Sequence, residues 1–188
     1  MGIKLGKPKD VIQTSLNKMT GVYWGAFNPP TEAHAAIIAA SLNNIRLKKL
    51  IVVVNNHSYK NYIYSIDVRL QLMREMIQST GLKNVELLWQ DDTHPLDFSA
   101  LREMTLDPLC AIAGYDSYKK WVSNSMPLLY DAIAVIPRGD EPPILFDDRA
   151  FILPIDSEHK HVSSTKIRNS SAWRKGVAVC KARHGAKL

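Results

Sequence analysis

Cysteine is scarce in this chain. Cys110 and Cys180 are the only two among 188 residues, and they form no close pair of the kind that zinc-ligand spacing or a disulfide framework requires. Two unpaired thiols in a reducing cytoplasm are expected. Long apolar runs are also missing. Ile51–Val54 and Ala132–Ile136 are strand-length, far below the roughly 20 residues a membrane helix needs, and the first residues carry no apolar signal-peptide core. No membrane partner is therefore expected. Internal repeats and low-complexity tracts are absent. So is a dedicated acidic metal cluster, because Asp91-Asp92 and Asp147-Asp148 read as loop pairs. Acidic residues stop at Glu158, while Arg174, Lys175, Lys181, Arg183 and Lys187 follow it. Lys4, Lys7, Lys9 and Lys18 crowd the first segment, so part of the formal net charge of +6 sits at the ends. Such a chain attracts polyanions, whether nucleic acid, an acidic surface or a nucleoside triphosphate. The tails themselves read as solvated. The last three residues, Ala186-Lys187-Leu188, resemble a variant of a peroxisomal address, a match too short to displace the cytoplasmic expectation.

What is present has a regular order. Apolar residues make up 46% of the chain, enough for a globular core and too many for disorder. A strand is predicted over Gly21–Trp24, broken by Gly25 and Pro29-Pro30. Ala33, Ala36, Ile37 and Ala40 then share one helical face. Leu50–Val54 reads as a second strand ending at the turn pair Asn55-Asn56. Ser65-Ile66-Asp67 opens a second helix that Thr80-Gly81 stops. Strands over Val85–Trp89, Leu109–Ala113 and Ala132–Ile136 alternate with helices over Asp97–Met104 and Asp116–Val122. Phe151-Ile152-Leu153 is a candidate sixth strand, and a final helix is expected from Ser163 or Ser164. This βαβ alternation predicts an α/β fold with a doubly wound parallel sheet. Ligands then bind beyond the carboxyl ends of the strands, where Gly25, Asn55, Trp89, Gly114 and Pro137 fall. Residues 1–19 read as an extension, 20–172 as one domain and 173–188 as a basic tail.

Two stretches carry chemistry. Gly25-Ala26-Phe27-Asn28-Pro29-Pro30-Thr31-Glu32-Ala33-His34 reads as a strand end, a tight turn and a helix start. Gly25 lacks a Cβ and lets backbone come close to a ligand. The free amides of the turn and helix start, Ala26 and Phe27 among them, can meet phosphate. Thr31 and His34 are three residues apart and share a helix face. About 130 residues later, Val162-Ser163-Ser164-Thr165-Lys166-Ile167-Arg168 offers hydroxyls and amides at a helix start. Arg168 lies one turn in, able to make paired hydrogen bonds to phosphate. Either stretch alone is an ordinary helix cap; the two in this order are a far more specific signal.

Together these stretches resemble the paired boxes of the nucleotidylyltransferase superfamily, and their details resemble its nicotinamide/nicotinate mononucleotide adenylyltransferases. The resemblance implies a single Rossmann-like domain that transfers the adenylyl group of ATP, with its Mg²⁺, to a pyridine mononucleotide. It implies that His34 stabilises the α-phosphate, with Thr31 in the box position held by His or Thr. Ser163, Ser164, Thr165 and Arg168 would hold ATP phosphates, with Lys60 as the phosphate-binding lysine unless it is a solvated loop residue. Gly114 and Asp116 resemble the Gly-x-Asp box that meets a ribose, although Asp116 alone also reads as a helix cap. Asn28, Trp89 and Trp121 would bind the mononucleotide, both indoles having core packing as the alternative. His161 is the one downstream histidine near ATP in this scheme, and Arg69 is left structural or unassigned. Ala33 stands where many members have glycine, and Trp24 stands where many have a second one. A homo-oligomer is compatible with the sequence. Rival readings are another transferase of this fold (pantetheine-phosphate adenylyltransferase or a cytidylyltransferase) and a catalytically degenerate nucleotide-binding module. A nucleic-acid binder rests on net charge alone, without an RNA-binding aromatic motif.

Overall fold

Six strands and four α-helices alternate in the computed structural model, which describes residues 15–124, 129–139 and 142–156. The strands are β1 (Thr20–Gly25), β2 (Lys49–Asn56), β3 (Val85–Asp91), β4 (Leu109–Gly114), β5 (Ala132–Ile136) and β6 (Ala150–Ile152). The helices are α1 (Glu32–Asn43), α2 (Ile66–Ser79), α3 (Phe98–Met104) and α4 (Tyr115–Ser123). All pairings are parallel, in the order β3-β2-β1-β4-β5-β6. This is the doubly wound, Rossmann-like arrangement, and its strand order reverses between β1 and β4. The expected fold class is the one observed. The final helix expected from Ser163, the segment 1–14 and the basic tail lie outside the described residues.

Alternation along each strand builds two cores, one per sheet face. Tyr23, Val52, Val54 and Ile112 face α1 and α2, which contribute Ile37, Ile38, Leu70 and Met73. Val22, Ile51, Val53 and Ala111 face α3 and α4, which contribute Leu101 and Tyr118. β2 reads as an apolar run because it is covered on both faces. None of the described helices is long and apolar enough to cross a membrane.

Three local expectations need correction. Asn55 and Asn56 do not form a turn; they continue β2, opposite Gln90 and Asp91 of β3. Asp91 therefore belongs to a strand rather than a loop pair. The extra length is held by side chains, with Gln90 Nε2 donating to Asn55 Oδ1 at 2.8 Å. Asp116 is not the cap of α4, because Gly114 occupies that position. Ser65 caps α2 as expected, its Oγ accepting from Val68 N. Gly81, at φ 69°, takes the left-handed conformation just beyond α2 that glycine adopts without strain.

Candidate active site

The turn after β1 brings the first motif to the β1/β4 switch point. Thr31 caps α1, and His34 occupies its first turn. The Thr31 amide donates to His34 Nδ1 at 2.9 Å, and Thr31 Oγ1 lies 2.8 Å from the same nitrogen. A backbone N–H can only donate, so Nδ1 is the acceptor and the proton of the neutral ring sits on Nε2. Burial, followed by the nearby charge of Arg138, lowers the His34 pKa to about 4. At neutral pH the imidazole is thus an uncharged Nε2–H donor held in one orientation. Thr31 is itself buried, and its contacts position His34.

Phe27 fixes the turn. The residue is 1% exposed, and its ring centroid lies 5.4 Å from that of Tyr23 and 5.0 Å from that of His34, both edge-on. The backbone of Phe27 adopts φ 44°, in the left-handed region. Gly25 has a reason the sequence did not reveal. A Cβ there would lie 2.6–2.9 Å from three atoms of the Phe27 ring, so the missing side chain makes room for that ring. Asn28 is buried and accepts from the Tyr64 amide through Oδ1, which joins the turn to the β2–α2 loop.

Arg69 is a tie between elements. It is fully buried. Nε donates to Tyr64 O at 3.1 Å, and Nη1 donates to Ala26 O and Asn55 O, each at 2.8 Å. Nη2 donates to Asn56 Oδ1, and the guanidinium lies 3.9 Å from the Tyr62 ring centroid. One α2 side chain thereby joins the carboxyl ends of β1 and β2 to the loop before α2. Lys60 lies in that loop, exposed, 5.5 Å from the Tyr59 ring centroid. Asp92 pins the loop, accepting from Ser58 N at 2.7 Å and lying 3.2 Å from His57 Nδ1.

The predicted acceptor residues separate. Trp121 lines a cavity of about 600 Å³ together with Trp24, Phe98 and Tyr130. Trp121 and Tyr130 stack with centroids 6.3 Å apart and ring planes 12° apart. Burial raises the Tyr130 phenol above its usual range. Trp89 is on the other face of the sheet. Along β3, Leu88 packs with the α3/α4 core and Leu87 with the α1/α2 core. Period two puts Gln90 in the cavity and Trp89 outside it, 42% exposed and near His94. The structure does not bring the two indoles to one ring.

At the start of α4, Asp116 accepts from Arg138 Nη1 at 3.0 Å and lies 3.7 Å from Lys119 Nζ. Arg138, just beyond β5, thus relates Asp116 to the His34 neighbourhood. Sequence reading missed it, and its only signal was a position beyond the carboxyl end of a strand. It also missed Trp24, Phe98 and Tyr130. Ser163, Ser164, Thr165 and Arg168 lie outside the described residues, as do His159 and His161. Among the described residues, no group of three His, Cys, Asp or Glu could hold a metal ion.

The cytidylyltransferase-like family model matches residues 22–170. The chain belongs to the cytidylyltransferase-like family. This family member is 40% identical over 66 residues to the phosphopantetheine adenylyltransferase of Fusobacterium nucleatum, covering 35% of this chain and 39% of that protein. It is 29% identical over 119 residues to a probable nicotinate-nucleotide adenylyltransferase of Acholeplasma laidlawii, covering 56% of this chain and 63% of that protein. The match thus spans about two fifths of the first of these relatives and under two thirds of the second. A solved structure of Plasmodium falciparum nicotinic acid mononucleotide adenylyltransferase, complexed with NaAD, superposes with a TM-score of 0.57 at 17% identity, covering 80% of this chain and 82% of that one. That likeness shows the shared fold.

Proposed function

We propose that this family member transfers the adenylyl group of MgATP to a pyridine mononucleotide, forming a dinucleotide and pyrophosphate. The observation that carries the reading is His34, a neutral, fixed Nε2–H donor in the first turn of α1, directly after the turn that follows β1 at the switch point. The acceptor is already a phosphate anion, so no general base or covalent enzyme intermediate is required. Its oxygen attacks the α-phosphorus, the bond to the bridging oxygen of the β-phosphate breaks, and pyrophosphate carries away the negative charge. Catalysis is then positioning plus charge stabilisation.

In this scheme His34 donates to the α-phosphate as charge develops there. The amides of Gly25, Ala26 and Phe27 face the phosphates, while Lys60, Ser163, Ser164, Thr165 and Arg168 hold the departing pyrophosphate. Gly114 and Asp116 approach the ATP ribose. Trp121 stacks on the acceptor ring, with Asn28 supporting the turn beneath it. Mg²⁺ arrives with ATP, held by phosphates and water rather than by a protein cage. The reaction is placed in the cytoplasm.

A coupled assay of pyrophosphate release with ATP and each candidate acceptor tests the reading. Release should depend on nicotinamide or nicotinate mononucleotide. Release with 4′-phosphopantetheine alone would replace this acceptor class by that of the Fusobacterium relative, and ATP binding without release would leave a nucleotide-binding module.

A further inference from the structure

The aromatic cavity carries a charge pattern that separates two otherwise similar acceptors. Nicotinamide and nicotinate mononucleotides share a pyridinium ring and differ in one substituent, a neutral carboxamide or a carboxylate. The described cavity wall contains no lysine or arginine. Its one imidazole, His57, lies 3.2 Å from the Asp92 carboxylate, so this pair adds no net positive charge to the wall. Asp97 also lines the cavity. Its Oδ1 accepts from the Ala100 amide at 2.9 Å, capping α3. The start of α3, at the cavity wall, therefore already holds a carboxylate, and a second one there would meet like charge. On the facing strands, Asn55 and Gln90 add neutral amides to the wall.

Resting on the acceptor reading above, we propose that Asp97 makes this cavity selective for the carboxamide form, nicotinamide mononucleotide, over the carboxylate form. The carboxamide can donate its N–H to Asp97 and accept from Asn55 or Gln90. The carboxylate can only accept, and it faces Asp97 with no lysine or arginine in the described wall to offset the repulsion. Asp97 is solvent-exposed, so the discrimination is modest, about tenfold in kcat/KM or about 1.4 kcal/mol. The named structural neighbour works on the nicotinic acid form, so this selectivity would distinguish the chain from it.

The test compares kcat/KM for the two mononucleotides in the wild-type protein, Asp97→Asn and Asp97→Lys. Asparagine caps helices as well as aspartate does, so α3 is expected to persist. Indole fluorescence quenching, read through Trp24 and Trp121 without ATP, measures binding of each mononucleotide independently of turnover. The expected result is about tenfold preference for the carboxamide form, its loss in Asp97→Asn and its reversal in Asp97→Lys, in binding as well as in turnover. Preference for the carboxylate form, or a binding ratio unchanged by both substitutions, overturns the inference while leaving adenylyl transfer intact. Selective binding without pyrophosphate release would sustain the inference and overturn the proposed reaction.

Discussion

His34 shows how a single ring can be prepared by its own backbone. The Thr31 amide takes Nδ1, and burial keeps the ring neutral. Because the folded pKa of about 4 lies below the ordinary imidazole value of 6.5, the unfolded chain binds more protons between those values. Stability from this group is complete above pH 6.5 and is lost as pH falls toward 4, on the order of 3 kcal/mol in total. Urea unfolding from pH 7 to 4.5 should show this decline, and replacing His34 by Asn should flatten it; an unchanged slope would mean the ring is not buried neutral. Turnover should show no His34 ionisation between pH 5 and 8. Gly25 offers a second residue-scale check. Gly25→Ala would push a methyl into the Phe27 ring, at a cost of about 1–3 kcal/mol measured as a shift in the urea midpoint. Full stability would mean the turn relaxes freely.

At the scale of elements, Arg69 connects what the sequence left apart. Its four acceptors lie on the turn after β1, on β2 and just before α2. Arg69→Lys keeps the charge but cannot reach all four, and buried carbonyls would lose their partners. A loss of at least about 2 kcal/mol in unfolding free energy is expected, with weaker ATP binding because the turn proposed to meet phosphate loosens. Normal stability would show that the tie is dispensable. The helix starts at Glu32 and Ile66 were legible because their caps and apolar spacing agree. The ends of β2 and β3 were not. Asn55-Asn56 has turn composition, and only the facing Gln90 and the Arg69 guanidinium keep it extended. The side of β3 that carries Trp89 was not legible for a related reason. Alternation says that neighbouring residues face opposite ways, but not which face holds the cavity.

Over the whole molecule, the order of strands and helices was enough to expect the parallel sheet. The proximity of distant residues was not. Asp116 and Arg138 meet only because β4 and β5 are adjacent. Trp24, Phe98, Trp121 and Tyr130 enclose one cavity only after α3 and α4 fold onto the same sheet face. The motif at Ser163–Arg168 was legible as a motif, and its meeting with His34 is a proposal. Replacing His34 by Ala in the full chain and measuring pyrophosphate release from MgATP plus mononucleotide tests the central assignment. Turnover should fall at least about 100-fold, as for a lost transition-state donor, with the cooperative unfolding transition retained. Turnover near that of the unmodified protein would contradict the role of this imidazole in adenylyl transfer.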